Sequence, residues 1–176
     1  YPSRPIRNVV PLAPGGGTDT VARLVSTKLA EQLGQQIVVD NRGGGGGVVG
    51  TELASQAPKD GYTLLIGSIG VFAINPALFK DLRYDPVKQF MPVSTLGYFD
   101  FVFATSGESR FKTMQDLLKE ARAKPGSLNI GTIATGSTQN LSAELFKSTA
   151  NIDAKIVPFR NTPDVILAVM RGDVDL

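Results

Sequence analysis

The residues best placed to do chemistry in this chain are glycines and hydroxyls at the mouths of two helices. Leu12-Ala13-Pro14-Gly15-Gly16-Gly17-Thr18-Asp19 leaves an apolar strand and opens a helical pattern. Glycine keeps a Cβ out of the space between backbone and ligand. The N-terminus of the helix behind it directs unpaired N–H groups and a positive dipole end into that space. Such a turn suits a small anion, and a carboxylate is the natural candidate. Thr132-Ile133-Ala134-Thr135-Gly136-Ser137-Thr138 repeats the arrangement later in the chain. Each turn also has a plainer reading as a sharp strand-to-helix connection, capped by Thr18 or Asp19 in the first and by a hydroxyl in the second. Asp19 argues against a naked phosphate, because its carboxylate would compete with the anion; it suits a cap, a ligand amine or a bridging water. Ser68, at the end of another strand, could reach the same space. Arg160 could lend charge to a polyanion or be a solvated loop residue.

The excluded chemistry is as informative. Among 176 residues there is no histidine and no cysteine. That removes the commonest general base, the commonest transition-metal ligand and the thiol nucleophile; any enzyme here would have to work with carboxylates, lysine, tyrosine or a hydroxyl, and no catalytic residue, metal or cofactor is singled out. The Walker pattern and the G-x-S-x-G elbow are both absent. Gly45-x-Gly47-x-x-Gly50 matches a dinucleotide fingerprint, but it falls in the run Gly43 to Gly47. The following strand ends in Gly67-Ser68-Ile69-Gly70 and not in a ribose-binding acid. The run is therefore read as a flexible or tightly turned loop. Asp173 and Asp175 read as a solvated edge or hinge contact. A net charge of +2 with 19% charged residues, and no basic cluster interleaved with aromatics, gives no support to nucleic-acid binding. No apolar run approaches the ~20 residues of a membrane span, so no direct membrane insertion is expected. The N-terminal Tyr1-Pro2-Ser3 lacks a methionine and an apolar leader, which fits a removed export signal or a chain boundary.

The elements that must hold these turns follow from periodicity. Ile6 to Leu12 reads as a buried strand, and Val21, Leu24, Val25, Leu29 and Leu33 as a helix stopped by Gly34. Strands follow at 36–40 and 62–66, with a helix at 48–57 between them. Asn75-Pro76 reads as a turn, and residues 92–105 as an extended run with Phe99, Phe101 and Phe103 in alternation. Thr113 caps a helix carrying Met114, Leu117, Leu118 and Ala121. A strand at 128–132, a helix at 138–150 bearing Leu141, Leu145 and Phe146, and a strand at 154–159 come next. Thr162 and Pro163 are read as N-cap and first helical residue of a last helix that ends at Gly172, before a strand beginning at Asp173. The alternation predicts parallel sheets in two α/β domains, 1–100 and 101–176, with the two turns facing a cleft between them.

Tyr1 to Arg7, Ala13 to Asp19 and Val38-Val39-Asp40-Asn41-Arg42 resemble the Bug-type periplasmic solute receptors of tripartite tricarboxylate transporters. Asp60 to Leu65, Ala73-Ile74-Asn75-Pro76, Tyr84-Asp85-Pro86, Leu141 to Phe146 and Val157-Pro158-Phe159 fall in family order too. The resemblance implies a two-domain hinged periplasmic-binding-protein fold, each domain a βαβ-built sheet flanked by helices. It implies a second domain that is truncated here, because relatives continue past Leu176. It also implies a periplasmic receptor that captures a small organic acid, a mono-, di- or tricarboxylate or an acidic amino acid. Such a receptor delivers its solute to the membrane subunits of a secondary transporter, with no ATP site. The implied ligand-binding residues are Leu12, Ala13, Pro14, Gly15, Gly16, Gly17, Thr18 and Asp19 in one loop, and Thr132, Thr135, Gly136, Ser137 and Thr138 in the other, with Ser68 and Phe159 beside them. A receptor signalling to a sensor partner, or an enzyme working through hydroxyls or carboxylates on a similar scaffold, are the alternatives. The chain departs from the family pattern at Asn140, where histidine is usual, at Phe159-Arg160-Asn161 in place of Tyr-Lys-Gly, and at the five glycines.

Overall fold

The computed structural model describes residues 1–176, which form two compact units, Tyr1–Tyr98 and Phe99–Leu176. In the first, strand β1 (Ile6–Val10) leads to helix α1 (Gly17–Leu33), β2 (Ile37–Asn41), α2 (Val48–Ser55) and β3 (Thr63–Leu65). All three strands are parallel, in the order β2-β1-β3, with Val10 opposite Asn41 and Val9 opposite Leu65. Side chains alternate across β1. Val10 packs with Ala22 of α1, and Asn8, a buried polar residue in an apolar strand, donates to Ser26 Oγ of α1 at 3.0 Å. That bond satisfies a group that would otherwise cost free energy to bury.

The glycine run is a tight turn. Gly44, Gly45, Gly46 and Gly47 all have positive φ, which glycine alone adopts at little cost. The turn brings α2 close against the end of β1: a Cβ on Gly50 would lie 2.7 Å from Pro11 Cα. Asn75 is more than a turn former. It follows a single π-type turn (Gly70–Ile74), begins the short helix α3 (Asn75–Leu78), is wholly buried, and donates to Gly46 O at 3.2 Å and to the Tyr84 hydroxyl at 3.3 Å. The Tyr84 hydroxyl donates in turn to Val71 O, and burial pushes that phenol up from its ordinary pKa.

In the second unit, α4 (Met114–Ala123) starts with a reciprocal cap: Thr113 accepts from the Asp116 N–H and Asp116 accepts from the Thr113 N–H. Then come β4 (Leu128–Ile133), α5 (Thr138–Ala150), β5 (Ala154–Phe159) and α6 (Thr162–Arg171). β4 and β5 pair in parallel from Leu128↔Ala154 to Ile133↔Phe159. Leu128, Ile130 and Ala154 face a core with Leu117, Ala121 and Ala143, while Val157 and Phe159 face Ala168, Val169 and Val174. The chain end lies along the free side of β4, with Leu176 N donating to Asn129 O at 3.3 Å and Gly131 N to Leu176 O at 2.7 Å.

Three expectations are corrected. The N-cap of α6 is Asn161, which accepts from Asp164 N at 2.9 Å, so Thr162 and Pro163 sit one place further into the helix than expected. Leu145 is 67% exposed and lies off the buried side of α5, which Asn140 and Ala143 form. Residues 92–105 contain no strand. Alternation alone makes no ladder without a neighbour to pair with; Phe99 and Phe101 instead meet edge to face at 5.9 Å, and Phe103 lies on Phe146 at 4.5 Å.

Candidate functional site

The first turn sits at the carboxyl end of β1, the central strand of its sheet. Helix α1 begins with Gly16 as N-cap, in extended conformation and with no side chain capping it. Neither Thr18 nor Asp19 is the cap. The first-turn N–H groups of Gly17 and Thr18 therefore have no intrahelical partner. Asp19, third residue of the helix and only 4% exposed, reaches back past the cap: its Oδ2 accepts from Gly15 N at 2.9 Å and from Arg23 Nε at 3.0 Å, and its Oδ1 from Asn41 Nδ2 at 2.9 Å. Burial pushes the carboxyl pKa up, but hydrogen bonds from Arg23, the Gly15 N–H and Asn41 outweigh it and hold the group below its ordinary value. Within the protein this carboxylate is engaged by the loop, by Arg23 and by Asn41, and of the three roles expected for it the helix cap is the one the structure assigns elsewhere, to Gly16. Gly15 has φ 86°, the left-handed conformation that lets its N–H face Asp19.

The second turn sits at the carboxyl end of β4 and is built the same way. Ser137 is the N-cap of α5; its Oγ accepts from Asn140 N at 3.1 Å and donates to Ile133 O at 2.9 Å. Asn140, third residue of its helix and buried, accepts from Gly136 N at 3.1 Å, and Gly136 has φ 82°. Asn140 thus occupies the place of Asp19, and Gly136 that of Gly15. The difference is charge: an amide holds the second loop, a carboxylate the first. The N–H groups of Thr138 and Gln139 are the ones left at this helix start. Thr132, on the buried face of β4, is 2% exposed, and its hydroxyl has no hydrogen-bond partner.

Both turns follow the strand at which chain order reverses. In the first unit α1 leads from β1 to β2, and the chain then returns to β3 on the other side of β1. In the second, α5 leads from β4 to β5, and the chain end returns to the other side of β4. Ligands of open α/β sheets bind outside the carboxyl ends of strands at such reversals. Ser68 follows β3 at the same edge of the first sheet as Leu12 to Gly16, and its carbonyl accepts from Val71 and Phe72. Phe159 ends β5 beside Ile133, but its ring packs on the Ala168, Val169 and Val174 cluster; it touches the second loop through its carbonyl, which accepts from Ala134 N at 3.1 Å. Neither Asn41 nor Asn140 is marked as a loop-holding residue by sequence: the partners of Asn41 are brought to it only by folding, and the bond of Asn140 to Gly136, four residues back, depends on the left-handed turn at that glycine.

Each of the two parallel α/β units thus carries a glycine-containing strand-to-helix turn at the carboxyl end of its first strand. The chain belongs to the tripartite tricarboxylate transporter receptor family, whose pattern matches residues 21–176. It is 38% identical over its whole length to a Pseudomonas protein encoded in the tcbD–tcbE intergenic region, covering 52% of that protein. Its fold matches a solved R. palustris protein with adipate (34% identity, TM-score 0.88, 99% of this chain and 58% of that one). It also matches MatC from Rhodopseudomonas palustris with bound malate (32% identity, TM-score 0.85, 99% of this chain and 60% of that one). The chain spans about half the length of the curated relatives it matches.

Proposed function

We propose that this chain is part of an extracytoplasmic, periplasmic solute receptor that captures a small organic carboxylate and delivers it to the membrane subunits of a tripartite secondary transporter. It binds and does not turn over its solute. The observation that carries this reading is the repeated turn: two reversal strands, two glycine-containing loops, each held in shape by the third residue of its own helix. In this reading the Gly16, Gly17 and Thr18 N–H groups serve as main-chain donors in the first loop. The Thr138 and Gln139 N–H groups and the Thr135 and Thr138 hydroxyls serve in the second. Ser68 borders the first loop, and Thr132 offers its unpartnered hydroxyl beneath the second. The solutes seen with the two Rhodopseudomonas proteins, adipate and malate, support a dicarboxylate.

The magnitudes agree with capture. A hydrogen bond to a charged group contributes about 1.5–3 kcal/mol, so three or four approach the roughly 8 kcal/mol of micromolar binding before ordering costs. A thermal-shift panel of mono-, di- and tricarboxylates, acidic amino acids, NAD and ATP tests the reading. Stabilisation by one or more organic acids and by neither nucleotide is expected. Stabilisation by a nucleotide, with no response to any acid, overturns it.

A further inference from the structure

Asn41 ends β2 opposite Val10 and uses its carboxamide on three partners. Its Nδ2 donates to Leu12 O at 3.2 Å and to Asp19 Oδ1 at 2.9 Å, and its Oδ1 accepts from Arg23 at 3.1 Å. Leu12 lies where the chain leaves β1, and Asp19 lies inside the first turn of α1. One side chain therefore spans both ends of the loop. The segment after it lies close beneath the same loop: a Cβ on Gly43 would stand 3.3 Å from Ala13 N. An acidic side chain at 41 would set an acceptor against two acceptors, and an aliphatic one would leave the Leu12 carbonyl and Asp19 each short of a donor.

We infer that Asn41 is a positioning residue for solute binding: by fixing Leu12 O relative to Asp19 it aims the N–H groups of Gly16, Gly17 and Thr18. This role rests on the receptor function proposed above. The charged groups around it are Asp19 and Arg23 of α1, and Asp40, which is paired with Arg7 and Arg42.

The test is calorimetry of the full chain with succinate, malate and adipate, at about pH 8 and about pH 5, on the wild type, Asn41→Leu and Asn41→Asp. Two carboxylates in contact share a proton when it becomes available. In Asn41→Asp a shared proton with Asp19 restores a hydrogen bond across the loop at the lower pH. Asn41→Leu is expected to bind about tenfold more weakly at both pH values. Asn41→Asp is expected to match that loss at the higher pH and recover most of it at the lower, while the wild type changes little. A purely structural role would weaken both variants without separating their pH profiles. Variants that bind as the wild type does, or that lose affinity in parallel at both pH values, overturn the role and leave the receptor function standing. A wild type that binds none of the three acids, nor any other acid of the thermal-shift panel, removes both. If Asn41→Leu melts below the assay temperature, the comparison of Asn41→Asp at the two pH values decides alone.

Discussion

Asp19 gives the clearest pH signature at the scale of single residues. Its folded pKa is lowered, so the deprotonated form is favoured by folding. The stability it contributes is fully present above the ordinary carboxylate value of about 4 and is lost as pH falls through the lower folded value. Melting temperature, in the part owed to this group, is expected to be flat from about pH 5 to 8 and to fall below about 4. Asp19→Asn should remove that part of the acid limb while keeping an acceptor for Gly15, as Asn140 does for Gly136. Acid titration of both proteins by circular dichroism measures it. The glycines separate fold from binding. Gly16 is extended, at φ −85°, so Gly16→Val adds a side chain without left-handed strain. Gly15→Val would carry that strain, about 1–2 kcal/mol. Gly16→Val is expected to stay folded and lose organic-acid binding by calorimetry, whereas Ser3→Val, which gives up only an exposed contact to Tyr62, should bind normally. Unchanged affinity in Gly16→Val would move the site elsewhere. The glycines and hydroxyls of both turns were legible because their residue types announce the conformation. The hidden work of Asn41 and Asn140 was not, since an asparagine carries no mark of the partner it will find.

Helix ends show how far local rules reach at the scale of elements. Thr113 was legible as a cap because its partner Asp116 lies within one turn of it in sequence. At α6 three adjacent residues, Asn161, Thr162 and Pro163, all suit a helix start, and the backbone decided for Asn161. Asn161→Ala should therefore cost about 1 kcal/mol, as should Thr113→Ala, while Thr162→Ala should cost little; chemical denaturation of the three variants orders them. At α1 the expected side-chain cap is absent, because Asp19 satisfies an N–H before the cap instead of one inside the helix. The alternating phenylalanines mark the opposite limit. Their spacing is a strand's, but a strand is a relation between two segments, and no segment of residues 1–176 pairs with 92–105.

At the scale of the whole molecule, Met91, Val93, Tyr98 and Val102 are each more than four-fifths exposed. Apolar surface gathered in one stretch of chain favours association. The 176-residue chain is expected to sediment with a concentration-dependent mass, and the pair Tyr98→Ser and Val102→Ser to reduce that dependence; a monomer at all concentrations would contradict it. The parallel sheets were legible from the pace of strand and helix alone. Strand order was not, because the return of β3 and of the chain end past the central strand is decided by packing. That shared winding has an evolutionary consequence. In the proposed receptor the main chain holds the acid, and no point mutation deletes a peptide N–H except one to proline. Recognition of a carboxylate is then lost only through the few positions that shape or screen the loop, such as Gly16 and Asn41, while the side chains at the loop rims, Thr18, Ser68, Thr135 and Thr138, are free to vary. A receptor wired this way can change which acid it prefers in single steps without passing through a form that binds none.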